Sequence, residues 1–540
     1  MHLCILFFQL ATHALAQNLC PGGGPSGRCV ASTFSGILPP GAVIEKVSTV
    51  TGGCYGEGSS DLAQPNYAYN LPQLCAITVN ISNYRFGLFL PTASNWNGRF
   101  LVVGNYAFLG GINWVDMTPG PNYNMATLST DTGHSSGVGD LSWSAGNQRA
   151  QLDWGYAALN GSTYYGKLLT ERYYSKKISY SYYTGCSTGG RQGLKQIQIN
   201  QTSFDGVLVG APAWQSDHLN PWYSHLGTYN LPEGDPKDIY QAQWTVMANL
   251  AQRQCDNLDG VTDGIISLDN CTITSFASVQ CGQPGVDPNN CLTAAQINTA
   301  MKVYSDYVLA DGTFVYPGPI PGSEADFASS LAEGLPSGFD QEWEKYMLYN
   351  NPNWTWQNFS DQVFRDSVRL DPGHPTANQY DISQFRARGG KIVLYHGLAD
   401  GVVPTKGSNI YYNATQNAMG GTLQNWFRYF QVPGMHHCAS TDANVNAPWY
   451  FAGAGQPALL YPTYSTGYSV PGHVKDEKYD IFLALVDWVE NGKPVDSVIA
   501  TVYNGNTLTV NRTRPLCPWP QRAVWDSTKN QNNASSWSCK

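Results

Sequence analysis

The segment Tyr180-Ser-Tyr-Tyr-Thr-Gly-Cys186-Ser187-Thr-Gly-Gly-Arg-Gln-Gly-Leu-Lys-Gln-Ile197 decides how the chain is read. An aromatic run with strand character ends in Gly185-Cys186-Ser187-Thr188-Gly189, and a helix is expected directly after it. A nucleophile elbow needs that order, because the tight turn between strand and helix lifts the serine hydroxyl clear of the sheet. The helix N-terminus behind it favours a developing anion. A second G-x-S-x-G, Gly133-His134-Ser135-Ser136-Gly137, continues as Val138-Gly139-Asp140, which does not readily open a helix. Ser187 is therefore the candidate nucleophile, and Ser135 reads as part of a Gly-rich loop beside the site.

A serine of this kind needs a base, and the base needs an orienting acid. Where the nucleophile sits on such an elbow, the acid and then the histidine follow it in the chain. Lys391-Ile-Val-Leu-Tyr395 reads as a strand, and Asp400 lies just past it in His396-Gly-Leu-Ala-Asp400-Gly401. Asp400 is the candidate acid, although Asp before Gly is also an ordinary turn pair. Further on, Phe427 to Val432 runs into Pro433-Gly434-Met435-His436-His437-Cys438, while His473 precedes charged residues and reads as surface. Order and context leave both His436 and His437 open. Cysteine placement favours His437: Cys186 precedes Ser187 and Cys438 follows His437. Were the two side chains in hydrogen-bond reach, about 2.6–3.2 Å, a bridge between these cysteines would suit the usual Cα separation of about 4.4–6.8 Å.

Working outward, Arg99–Val103 and Gly206–Gly210 also read as short buried strands, and Tyr479–Glu490 as a helix stopped by Asn491-Gly492. Strands alternating with helices predict a parallel sheet in an α/β fold. The stretch from Ala213 to Arg386 breaks that rhythm, holds four cysteines and is rich in Trp, Asn, Pro and Asp. It reads as an inserted cap (lid) domain, residues 213–386, between two parts of one core, 17–212 and 387–540.

Composition narrows the function classes. The chain has 540 residues, 42% hydrophobic and 13% charged, with a net charge of −9 and no basic stripe. Neither a nucleic-acid partner nor an anionic membrane surface is expected. Residues 1–16 read as a signal peptide with a short apolar region ending in Ala14-Leu15-Ala16. Twelve cysteines remain in the mature chain, an even number that suits disulfides and export. Nine N-x-S/T sequons, from Asn80 to Asn533, agree with a secreted glycoprotein.

Together, Cys186-Ser187, Asp400 and His437-Cys438 resemble the Cys-Ser/Asp/His-Cys signature of the fungal tannase and feruloyl esterase family. The run Tyr183 to Leu194, the block Gly206 to Ala213 and Asp131-Thr-Gly-His134 are also similar to that family's blocks. The resemblance implies an α/β-hydrolase core with a largely parallel sheet and a large inserted lid. It further implies hydrolysis of phenolic-acid esters without an organic cofactor, a Cys186–Cys438 bridge, and His437 as the base. Feruloyl esters of plant cell walls are the expected substrates, galloyl esters the alternative; a silent binding protein is a third reading. One block departs from the family: Gly104-Asn105-Tyr106 stands where it usually carries Gly-Asn-Gly-Gly. An oxyanion hole takes the N–H after the nucleophile, here Thr188, and one from this early loop, for which Asn105 is the candidate. Tyr106 would then either reshape the acyl pocket or impose another loop path. In the lid, Cys255-Asp256-Asn-Leu-Asp259-Gly-Val261-Thr-Asp263-Gly-Ile265 offers three carboxylates and two glycines, a composition that suits a hard cation as well as two Asp-Gly turns. The resemblance implies a structural calcium on the side chains of Asp256, Asp259 and Asp263 and the carbonyls of Val261 and Ile265.

Overall fold

The structure, a computed structural model, describes residues 20, 23–57, 67–326, 338–442, 445, 447, 449–456, 469–504 and 508–540. The expected export signal, 1–16, lies outside the described residues.

Nine strands form one sheet: β1 (Val43–Val50), β2 (Leu74–Asn80), β3 (Arg85–Pro91), β4 (Arg99–Val103), β5 (Ala126–Thr130), β6 (Tyr180–Cys186), β7 (Gly206–Gly210), β8 (Lys391–Gly397) and β9 (Phe427–Val432). Their spatial order is β1-β2-β3-β5-β4-β6-β7-β8-β9. Strands β5-β4-β6-β7-β8-β9 pair in parallel, and β1-β2-β3-β5 in antiparallel fashion. The α/β-hydrolase architecture expected from the sequence is present, with an antiparallel edge added.

The parallel strands are apolar on both faces because helices cover both. Side chains alternate across the sheet: Leu101, Val103, Tyr182, Leu208, Val393 and Tyr395 face one layer, with α5 (Ile481–Asn491) packed on it. Phe100, Val102, Tyr183, Val207, Val209, Ile392 and Leu394 face the other. There they meet α1 (Ala158–Tyr174), α2 (Thr188–Ile199) and α4 (Lys406–Met419). Helix α5 stops where the sequence says it should, at Gly492 with φ 73°.

Between β7 and β8 the chain builds a further cluster, in which Leu219, Trp222 and Leu226 of α3 (Ser216–Asn230) pack with Trp244, Met247, Val303, Tyr316 and Phe364. Val403, from the loop after β8, belongs to that same cluster. Ala377, Ile382 and Phe385 pack instead with the sheet's own layer. Candidate site residues fall on loops at the C-terminal ends of β4, β6, β8 and β9, where parallel sheets place their ligands.

Candidate active site

Ser187 joins β6 to α2 with φ 62° and ψ −125°, a conformation costly for any residue with a Cβ. Neighbouring backbone enforces it. Ser187 N–H donates to Gly210 O at 3.0 Å, and Ser187 O accepts from Arg191 N–H at 3.0 Å and Ala213 N–H at 3.1 Å. The flanking glycines are steric necessities: a Cβ on Gly185 would lie 2.8 Å from the Gly189 backbone, and one on Gly189 2.9 Å from Asn105 O. Arg191, fully buried on α2, donates to Gly155 O at 2.5 Å and lies 4.3 Å over the Trp154 ring, which pins the helix to the core.

Cys186 and Cys438 form a disulfide, with Cα atoms 5.9 Å apart, so the residue before Ser187 is tied to the residue after His437 across 252 positions. Ten other cysteines also pair: 20–54, 29–75, 255–271, 281–291 and 517–539.

Asp400, fully buried after β8, collects four donors. Oδ1 accepts the N–H groups of Val402 at 2.9 Å and Val403 at 2.7 Å; Oδ2 accepts His437 Nδ1–H at 2.8 Å and His396 Nε2–H at 3.0 Å. Burial alone would push the carboxyl up, but His437, through its charge and hydrogen bond, and His396 hold it well below the usual carboxylate range. For His437, burial works downward, yet the charge and hydrogen bond of Asp400 and the charge of Asp326 outweigh it and raise the imidazole. An imidazole whose Nδ1–H is held by a carboxylate keeps Nε2 free to take a proton.

His436 turns elsewhere, with Nδ1 3.8 Å from Asp326 Oδ1 and Nε2 3.7 Å from Asp442 Oδ2. Of the two neighbouring histidines, the structure brings only His437 to Asp400. Sequence reasoning missed two groups here. His396, at the end of β8, accepts from Ser408 Oγ at 2.7 Å and shares its Nε2–H between Asp400 and Val403 O at 2.8 Å. Its only signal was an imidazole four residues before Asp400. Asp326, from the inserted segment, accepts Gly401 N–H at 3.0 Å and His437 N–H at 3.3 Å, joining the acid loop to the histidine loop.

Thr188 is the first residue of α2, where backbone N–H groups lack intrahelical acceptors. The early loop corrects the expectation for Asn105. Its N–H donates to Gln192 Oε1 at 3.0 Å, and its side-chain amide bonds Thr130 O at 2.8 Å and Gly111 O at 3.2 Å. Asn105 braces the loop, and its N–H is already committed. The N–H of Tyr106 has no acceptor among the described residues. Tyr106 points its hydroxyl at Asp116. The Ser135 loop runs alongside, with Gly111 N–H on His134 O at 3.0 Å and Phe108 N–H on Val138 O at 3.3 Å; Ser135 itself is exposed.

In the Asp-rich loop, Asp256 accepts N–H groups from Gly264 and Ile265 at 3.1 and 3.2 Å, and Asp259 Oδ1 accepts Val261 N–H at 2.9 Å. Asp263 pairs with Arg514, with Arg512 3.8 Å away. Asp259 Oδ2 is buried and makes no hydrogen bond of good geometry among the described residues, although the Ser267 hydroxyl lies near enough to act on the carboxyl. As they stand, no three His, Cys, Asp or Glu side chains among the described residues are arranged to hold a metal ion. Of the expected ligands, Asp263 is already engaged, by Arg514 at Oδ2 and by Ile265 N–H at Oδ1.

A largely parallel sheet with a strained serine at one strand end, and a carboxylate-held histidine tethered to it, belongs to the α/β-hydrolases. Residues 78–540 match the tannase and feruloyl esterase family, and the chain belongs to that family; it is a carboxylic ester hydrolase. A protein of Aspergillus terreus named "Probable feruloyl esterase B-2" is 33% identical over 449 residues, covering 82% of this chain and 81% of its own. A "Probable feruloyl esterase B-1" of Aspergillus oryzae is 32% identical over 486 residues, 89% and 86% of the two chains. Among solved structures, feruloyl esterase B from Aspergillus oryzae superposes with TM-score 0.84 at 30% identity, over 95% of this chain and 99% of that one. Tannin acyl hydrolase from Aspergillus niger shares the fold at TM-score 0.71 and 22% identity, over 95% of each chain.

Proposed function

We propose that the protein is a secreted serine esterase that releases ferulic or related hydroxycinnamic acids from plant cell-wall esters. The observation that carries this reading is the 2.8 Å bond from His437 to Asp400 on a loop tied by Cys186–Cys438 to the strained elbow of Ser187. Ser187 Oγ attacks the ester carbonyl while His437 Nε2 takes its proton. Asp400 fixes the tautomer and stabilises the imidazolium, and backbone N–H groups hold the oxyanion. The tetrahedral intermediate collapses, the Nε2 proton leaves with the alcohol, and an acyl-enzyme remains. Water, deprotonated by His437, then frees the acid and restores the serine.

Likeness at 30% identity or above to proteins named feruloyl esterases supports the hydroxycinnamate preference. The six disulfides support a route through an oxidising compartment. The buried Asp259 carboxylate oxygen, which makes no hydrogen bond of good geometry among the described residues, supports a structural calcium in the lid, whose charge would be met by Asp256, Asp259 and Asp263 with the carbonyls of Val261 and Ile265. A chelator should then lower the melting temperature and added calcium restore it; an unchanged value would remove the ion from this account. The functional reading is tested by hydrolysis of methyl ferulate and methyl gallate by the wild type and Ser187→Ala. Ferulate should be preferred and the variant inactive. Activity surviving in Ser187→Ala would refute the nucleophile, and a preference for gallate the substrate class.

A further inference from the structure

We propose that Tyr106 supplies the second oxyanion N–H and that Asp116 is the positioning residue that holds it there. The inference rests on Ser187 being the nucleophile. Three consecutive residues divide the work. Gly104 N–H donates to Thr184 O at 3.0 Å on β6, the strand that ends at the elbow. Asn105 is spent on Gln192, Thr130 and Gly111, and its carbonyl lies so close to the elbow that Gly189 has no room for a Cβ. The next amide, that of Tyr106, is therefore the first in the loop whose N–H is uncommitted among the described residues, directly after the pair that packs on Gly189 of α2.

Asp116 fastens both ends of this three-residue span. Its Oδ2 accepts the Tyr106 hydroxyl and also Asn113 Nδ2–H at 2.9 Å. The same Asn113 amide donates to Gly104 O at 2.8 Å, and Asn113 Oδ1 accepts Asp116 N–H at 3.3 Å. Opposite the hydroxyl, Gly455 leaves the space that the ring needs: a Cβ there would stand 2.5 Å from Tyr106 Oη. Burial pushes the Tyr106 hydroxyl well above its ordinary value, and the Asp116 charge adds to that, so the phenol keeps its proton and remains the donor. A side chain anchored in this way removes backbone freedom that an oxyanion amide would otherwise lose on each turnover.

Tyr106→Phe keeps the ring and deletes the hydroxyl; Asp116→Ala deletes the acceptor. Loss of a whole oxyanion donor costs about 10²–10³ in rate, so a loosened donor should lower kcat by about 10- to 100-fold with KM within about twofold. Affinity for an arylboronic acid, which forms a tetrahedral adduct on the serine with an oxygen in the oxyanion seat, should weaken in parallel with kcat. A purely structural role would leave that ratio of boronate affinity to KM unmoved. If Asp116→Ala fails to fold, Tyr106→Phe decides alone, with its melting temperature recorded beside the kinetics. Wild-type kcat and boronate affinity in Tyr106→Phe, or a change confined to KM, would overturn the inference while an inactive Ser187→Ala left the nucleophile standing. An active Ser187→Ala would overturn both.

Discussion

Replacing Asp400 by Asn tests the reasoning most directly, because the carboxylate has four donors and the amide has one oxygen to offer them. With Asn Oδ1 kept on the N–H groups of Val402 and Val403, its NH₂ faces His437 Nδ1 and His396 Nε2, both of which donate in the wild type. His437 must then accept at Nδ1 and carry its proton on Nε2, the atom that should receive the serine proton. The flipped amide serves the imidazoles and leaves two buried backbone N–H groups facing an NH₂, each costing about 1–3 kcal/mol. The first arrangement is the cheaper, since His396 retains Val403 O. Wrong-tautomer triads lose about 10⁴ in turnover, which is about 5.4 kcal/mol at 1.36 per decade. The assay is kcat and KM for methyl ferulate at pH 8, with a thermal melt of the same preparation. Asp400→Asn should stay folded, bind with nearly unchanged KM and lose three to four decades of kcat, on the order of that precedent. A folded variant retaining a tenth of wild-type kcat would refute the role given to Asp400.

Other expectations follow from the same geometry. His396→Ala removes one of the two imidazole donors on Asp400 Oδ2 and orphans Ser408 Oγ, so it should cost about 2–3 kcal/mol of stability and lower kcat by less than Asp400→Asn does; equal losses would make His396 a catalytic partner instead. Because Asp400 raises His437 above the ordinary imidazole value of about 6.5, kcat/KM should rise with pH through a midpoint above 6.5; a midpoint below 6 would contradict the pair. The matching stability terms run oppositely with pH: that of His437 is complete below about 6.5 and fades as pH climbs through its raised folded value, whereas that of Asp400 is complete above about 3.9 and is lost only as pH falls below the carboxylate range. Cys186→Ala with Cys438→Ala should lower kcat more than KM and reduce the melting temperature, as measured by kinetics and calorimetry; full activity would show that packing alone holds the two loops together.

Strands β4, β6, β7 and β8 were legible as short apolar or aromatic runs, as in Gly206–Gly210, whereas β5 (Ala126–Thr130) was passed over. The antiparallel edge was passed over: Leu74–Asn80 is buried at nearly every position, so it lacks the alternation that marks a half-exposed strand. At the site, chain order and neighbouring cysteines were enough to prefer His437 over His436, and it is His437 that the structure places on Asp400, with Cys186 bonded to Cys438. What the sequence could not show is that the Asn105 N–H donates to Gln192, a partner 87 residues away that no local pattern announces. Asp326 and His396 were invisible for the same reason, their significance arising only where the inserted segment and β8 meet the histidine loop.

The Cys186–Cys438 tie has a consequence for biosynthesis. The serine loop is made 252 residues before its tethering partner, with the whole inserted segment between them. A nascent chain halted before β8 carries the nucleophile without base, acid or clamp, and a truncation ending at residue 386 should hydrolyse no ester. Assembly of the site therefore waits on the histidine loop, made long after the serine loop, folding back onto it and closing the Cys186–Cys438 bridge.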